Sequence, residues 1–154
     1  MSEQVDDLGA VARAIIDANL YMTLGTADGD GRPWVSPVYF APAEYREFVW
    51  VSHPWAQHSR NLAVRPEVGI VIFDSTAPIS TGQAVYMAAV AEELQAADDV
   101  ARYIEVFSRS SEARGGSPWS PDDVRPGTRH RLFRATASDH WILDEHDERV
   151  PVAP

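Results

Sequence analysis

The stretch "EFVWVSHPWAQHSRNLAVRPEVGIVIF" (47–73) places two strand-forming runs on either side of a polar junction. Phe48 to Ser52 is aromatic and β-branched, the composition of a strand. "VGIVIF" (68–73) is apolar at almost every position and predicts a strand buried on both faces. Between them, residues 57–64 predict a short helix. It ends at Arg65 because a residue before proline, here Pro66, avoids the helical region. Ser52, His53, Gln57, His58, Ser59, Arg60 and Asn61 crowd the strand-to-helix turn. The start of a helix has unpaired N–H groups and a partial positive charge, which suit an anion. Polar residues also cap helices of every kind. Taken alone, the junction fits a phosphate cradle, a catalytic cluster or an ordinary polar turn.

The pattern extends outward on both sides. Residues 5–19 carry Val5, Leu8, Val11, Ala12, Ile15 and Ile16 at helical spacing, with Asp6 and Asp7 suited to a first turn. "LYMTLGTADGDGRPWVSPVYF" (20–40) reads as a hairpin turning at "DGDG" (28–31). Pro37 in its return strand implies an edge, a bulge or an N–H position facing away from the ladder. Residues 41–47 read as a turn, 83–94 as a strand and 96–110 as an amphipathic helix. The Gly-, Pro- and Ser-rich 111–127 reads as a long surface loop. Residues 128–143 give one or two closing strands, and 144–154 form a tail that is ordered only if docked. Strands joined by short turns dominate, which argues for an antiparallel barrel over a parallel α/β sheet.

Composition excludes several functions. The chain has 154 residues, a length suited to one domain. Its net charge of −10 repels nucleic-acid phosphates and anionic membranes, so neither partner is expected. There is no cysteine, which rules out disulfides, thiolate catalysis and cysteine-zinc sites. All 13 basic residues are arginine, so no lysine is present to form a Schiff base. The sequence shows no charged-then-apolar leader and no apolar run of the roughly 20 residues that a spanning helix needs. A cytoplasmic location is therefore expected.

The smaller motifs are weak. "DGDG" fails as a calcium loop because the next ligand positions hold Arg32 and Tyr39. His53 and His58 lack a third zinc ligand at suitable spacing, and no metal site is expected. The chain has no G-x-S-x-G nucleophile elbow, and no catalytic side chain can be assigned. Trp34, Trp50 and Trp55 suit core or interface packing better than a wall for a flat cofactor.

Together, "TLGTADGDGRPWVSPVYF" (23–40), the 48–73 stretch and "QAVYMAAVAEEL" (83–94) resemble the pyridoxamine 5′-phosphate oxidase-like FMN-binding split barrels in order and spacing. "RLFRATASDHWIL" (131–143) resembles the closing strands of that family. The resemblance implies a mainly β (α+β) fold: a six-stranded antiparallel split β-barrel with flanking helices. It also implies one domain over 1–154 and a homodimer whose interface forms two flavin sites. Ser36, Pro37 and Val38 would then run beside the flavin ring, and Val51, Ser52 and His53 would lie near its ribityl-phosphate. Trp141 would border the ring from the other subunit. The family places Ser-Arg-Lys at the phosphate, whereas this chain has Ala56, Gln57 and His58, with Arg60 as a substitute cation. Gln57 is neutral, and histidine is only partly charged near neutral pH.

"RHRLFR" (129–134) is only superficially like the substrate-phosphate residues of the true pyridoxamine-phosphate oxidases, so that particular activity is not expected. The resemblance implies an FMN-dependent oxidoreductase acting on a small organic substrate. Two alternatives share the barrel: a deazaflavin-dependent reductase, and a ligand- or partner-binding protein with weakened or lost flavin binding.

Overall fold

The computed structural model describes residues 7–144 and 146–154. Val5 and Asp6 of the expected first helix lie outside the described residues. The helix α1 spans Leu8–Ala18 and begins where Asp7 Oδ1 accepts the Ala10 N–H at 3.1 Å, the usual N-cap device. Its apolar stripe packs on the inner core, where Ala12 and Ile16 are buried.

β1 (Tyr21–Ala27) and β2 (Pro33–Tyr39) form the expected hairpin. Asp28 shapes the turn: its Oδ1 accepts the N–H groups of Asp30 at 2.9 Å and Arg32 at 3.0 Å. Gly31 has φ 85°, a conformation glycine adopts without strain. Among the described residues β2 hydrogen-bonds only to β1, so Pro37 sits on a sheet edge, one of the places where proline is tolerated.

β3 (Ala41–Ala43) occupies part of the expected 41–47 turn and pairs with β4 (Glu47–Ser52). Two successive non-glycine residues turn this hairpin in the left-handed region, Glu44 at φ 54° and Tyr45 at φ 58°. Long-range contacts hold them there. Tyr45 Oη donates to Asp17 Oδ2 at 2.7 Å, and its carbonyl accepts from His140 Nε2 at 2.8 Å. The Arg46 carbonyl accepts from Ala137 N at 2.8 Å.

The remaining elements are α2 (Gln57–Val64), β5 (Glu67–Phe73), β6 (Ala84–Glu93), α3 (Ala97–Ala113), a 3₁₀ turn (Pro121–Asp123), β7 (Arg131–Leu143) and β8 (Arg149–Val152). Eight strands form one antiparallel sheet in the order β2-β1-β5-β6-β7-β4-β3, with β8 on β7. It curls into the split barrel. The six expected strands are present, and the short β3 and β8 add to them. β7 is one long strand: its first half pairs with β4 and its second with β8, while β6 runs along its other edge. A β-bulge at Ala88/Ala89 takes up the resulting bend.

Two cores result. Inside the curl, Met22, Leu24, Phe48, Trp50, Ile70, Ile72 and Phe133 pack together, with the Trp50 and Phe133 rings stacked at 5.6 Å. Outside, α3 covers β3, β4 and the start of β7 through Tyr103, Ile104 and Phe107 on Val49 and Leu132. Tyr103 Oη donates to Glu47 Oε2 at 2.6 Å. Arg134 bridges Glu47 at 3.4 Å and Glu92 at 2.7 Å.

Two expectations need correction, and the condition set for the tail is met. β5 is not buried on both faces: Val68, Ile70 and Ile72 point inward, but Phe73 is 47% exposed because no described element covers that part of the outer face. The 111–127 segment is not wholly loop, since α3 runs to Ala113 and a capped 3₁₀ turn follows. The tail is docked, with Val150 and Val152 packed on the inner core. No helix among the described residues is long and apolar enough to cross a membrane.

The stacked pair gives a stability test. Phe133→Ala removes a fully buried ring from the inner core and should cost about 3–5 kcal/mol in urea unfolding, the usual range for such a truncation. A loss under about 1 kcal/mol would mean that the stack does not organise the core.

Candidate functional site

β4 ends at Ser52 and α2 begins at Gln57, so the junction foreseen in the sequence is formed. Alternation along β4 sends Phe48 and Trp50 into the inner core and Val49 and Val51 toward α3. The Val51 side chain therefore belongs to the α3 cluster. The intervening turn is tightly held. His53 Nδ1 accepts from Trp55 N at 3.0 Å, and the His53 carbonyl accepts from Ala56 N at 3.1 Å and Ser59 Oγ at 2.9 Å. Ala56 occupies the N-cap without a side-chain cap, so the first-turn N–H groups of α2 gain no oxygen from it.

His58 is 8% exposed, and its Nε2 lies 2.9 Å from Ser52 Oγ. Burial lowers its pKa below the ordinary histidine value, so it stays neutral at neutral pH. Gln57 Nε2 donates to Asn61 Oδ1 at 2.7 Å, and Arg60 NH2 donates to Gln57 Oε1 at 2.7 Å. Asn61 Nδ2 donates to Thr26 Oγ1 at 3.0 Å. Thr26 in turn donates to the Trp34 carbonyl at 3.4 Å. A chain of hydrogen bonds thus runs from the surface at Arg60 to the backbone of β2. At the other end of α2, Arg65 Nε and NH2 donate to the carbonyls of Asp28 and Gly29 and pin the hairpin tip.

Ser52, His53, Gln57, His58 and Arg60 are therefore brought together at one end of the barrel. β2 is linked to this end through Thr26 and Asn61. On β2, Ser36 and Val38 share the inward side with Leu24 and Met22, their partners on β1, while Pro37 faces out and is exposed. Trp141 is elsewhere in the same chain, on the outer side of β7 beside Tyr86. Arg149 of β8 lies over it, 4.9 Å from the Trp141 ring centroid and 5.9 Å from that of Tyr86. This cation was missed in the sequence because it sits in the tail, and only strand pairing brings it onto the aromatic. Of the three tryptophans near the junction, Trp50 is core, while Trp34 and Trp55 are 51% and 74% exposed.

The neutral His58 predicts a pH dependence. Its folded pKa is lowered, so its contribution to stability is present above the unfolded histidine pKa of about 6.5 and is lost as pH falls toward the folded value. His58→Gln can still bond Ser52 but cannot charge. Its melting temperature should fall less than the wild type's between pH 7.5 and pH 5. Equal falls would show that His58 does not carry the acid sensitivity.

The fold matches known proteins. The family model described as pyridoxamine 5′-phosphate oxidase matches residues 8–138. No curated protein matches the chain. Among solved structures, it is similar to the heme storage protein HutZ from Vibrio cholerae (22% identity, TM-score 0.67, covering 85% of this chain and 90% of that one). It is also similar to a FAD-binding protein from Mesorhizobium loti (18% identity, TM-score 0.65, covering 86% and 90%). A third is a heme-binding protein from Mycobacterium smegmatis (20% identity, TM-score 0.69), of which the chain spans 56% while 92% of the chain is covered. With its curled antiparallel sheet and a family match over most of its length, the chain belongs to the pyridoxamine 5′-phosphate oxidase family of split barrels.

Proposed function

We propose that two copies of this chain pack across the uncovered outer face of the sheet and hold a flavin between them for redox chemistry on a small organic molecule. The observation that supports this most directly is the face itself. Val35 at 61%, Val90 at 52% and Phe73 stand exposed on β2, β6 and β5, and Gly69 and Val71 lie between them. Such an exposed apolar patch marks an interaction surface.

The residues fit the cofactor. Edge strand β2 has backbone groups that no neighbouring strand pairs, and these suit the hydrogen-bonding edge of the ring. Pro37 and Val35 offer a flat apolar surface. The uncapped first turn of α2 and Ser52 suit the ribityl-phosphate, with N–H donors in place of the family's fixed cations. Trp141 under Arg149, contributed by the partner, would supply an aromatic border and a permanent positive charge. FMN carries both a ring for β2 and a phosphate for the α2 turn. When bound, it supplies the hydride chemistry, and the chain's own residues bind, orient and exclude water.

A second reading is favoured by one observation. Gln57 and His58, at the phosphate positions, are both engaged within the chain. The face could then hold another flat anionic ligand, as the names of the heme-binding relatives suggest.

Titrating FMN and hemin separately into the purified protein, followed by flavin fluorescence and visible absorption, distinguishes the two. Micromolar or tighter FMN binding supports the flavin reading. Binding of hemin alone overturns it in favour of the second. Val35→Glu places a charge on the proposed interface and should convert a dimer to a monomer in sedimentation. It should also weaken FMN binding by about tenfold or more. An unchanged assembly would place the interface elsewhere.

A further inference from the structure

We infer that the pocket at the start of α3 is a binding site for a free α-amino acid with an aliphatic side chain. It is lined by none of the residues assigned to the flavin, and the inference holds whether or not a flavin binds. The pocket has a volume of about 430 Å³, toward the small end of ligand sites, which run from roughly 300 to 1,000 Å³. The end of β6, the first turn of α3, the 3₁₀ turn and the start of β7 form its walls. One wall belongs to the long 114–130 segment, and connections of that length in compact domains are usually functional or disordered. Here the segment is held in place. Ser120 and Asp123 cap the 3₁₀ turn, and Trp119 N donates to Ser108 Oγ at 2.9 Å. The Trp119 ring meets those of Phe107 at 5.6 Å and His130 at 5.5 Å. The pocket is therefore pre-formed.

The floor is aliphatic. Leu94 and Val124 are buried and Val100 is half-buried, and Pro121 and Pro126 add apolar surface. Two of the four charged side chains in the lining answer each other, with Arg125 NH1 3.3 Å from Asp122 Oδ1. The other two, Glu93 and Arg131, are half-buried and form no ion pair among the described residues. Glu93 stands opposite Phe133 across β6 and β7, so Arg131 is its diagonal neighbour, within reach of long side chains. The two nevertheless do not join. Arg131 NH1 donates instead to the carbonyls of Thr128 and His130, both at 2.8 Å. Glu93 Oε2 accepts from Gln95 Nε2 at 3.3 Å. One cation and one anion thus border an aliphatic pocket, each held by neutral groups. A charge drawn out of water is stabilised by an opposite charge. A simple anion would leave Glu93 unanswered, a simple cation would leave Arg131 unanswered, and a neutral apolar ligand would leave both. An α-amino acid carries a carboxylate and an ammonium on one carbon, with its side chain free to enter the floor. The lining has no aromatic residue for stacking, and a branched aliphatic group such as that of leucine matches Leu94, Val100 and Val124.

The test measures binding of leucine, isocaproate and isoamylamine to the full chain by equilibrium dialysis. Isocaproate is leucine without its ammonium, and isoamylamine is leucine without its carboxylate. The wild type should bind leucine about tenfold or more tightly than either analogue, the usual effect of losing one charge-assisted contact. Glu93→Gln should erase the advantage of leucine over isocaproate, and Arg131→Gln its advantage over isoamylamine, with circular dichroism confirming that both variants fold. The wild-type series decides the question even where a variant does not fold. Isocaproate or isoamylamine binding as tightly as leucine would overturn the two-charge site. Leucine binding that neither folded variant alters would place the ligand elsewhere and overturn the assignment of this pocket. No binding of any of the three overturns the inference outright.

Discussion

The two-sided burial of β4 is the constraint on which the rest depends. Its six residues supply Phe48 and Trp50 to the inner core and Val49 to the core beneath α3. A strand packed on both faces cannot slip by one residue without driving Glu47 into the inner core and forcing Phe48 and Trp50 beneath α3. Its end is therefore fixed at Ser52, and the position of α2 follows. The polar chain through Asn61 and Thr26 then ties α2 to the β1–β2 hairpin, and Arg65 ties its far end to the hairpin tip. The ligand-facing elements are held by the same few residues that close the barrel.

The electrostatics are local. The chain is strongly acidic overall, yet cations stand where the sheet leaves open surface: Arg60 at the junction and Arg149 over Trp141. At the junction itself, burial keeps His58 neutral, and Gln57 is held between Asn61 and Arg60. Hydrogen-bond geometry dominates there, where fixed charge would have been the simpler device. Arg134 takes the structural role, joining Glu47, Glu92 and the ring of Tyr103 into one network at the seam between β4, β6 and β7.

Much of this was legible in the sequence. Alternation and Pro66 marked β4, α2 and β5, and "DGDG" marked the hairpin, because these depend on local conformational preference. β3 was not visible: Ala41-Pro42-Ala43 carries no strand-forming signal and is extended only through pairing with β4. The extension of α3 past Ser110 to Ala113 was missed because serine is a poor helix former, although Ser111 is buried and donates to the Ser117 carbonyl. β8 and the placement of Arg149 over Trp141 depend on pairing across a turn that the local residues do not announce. The open outer face of β5 had the opposite problem. Its apolar residues read as buried, and within a single chain they are not.

The turn between β3 and β4 bears on how the chain reaches this shape. Two non-glycine residues in the left-handed region cost on the order of 1–3 kcal/mol each when isolated. The groups that offset this strain are Asp17, Ala137 and His140, which lie far away in the chain. The β3–β4 turn thus depends for its support on α1 and β7. Its geometry is conditional on the assembled barrel, whereas the β1–β2 turn is held by its own Asp28.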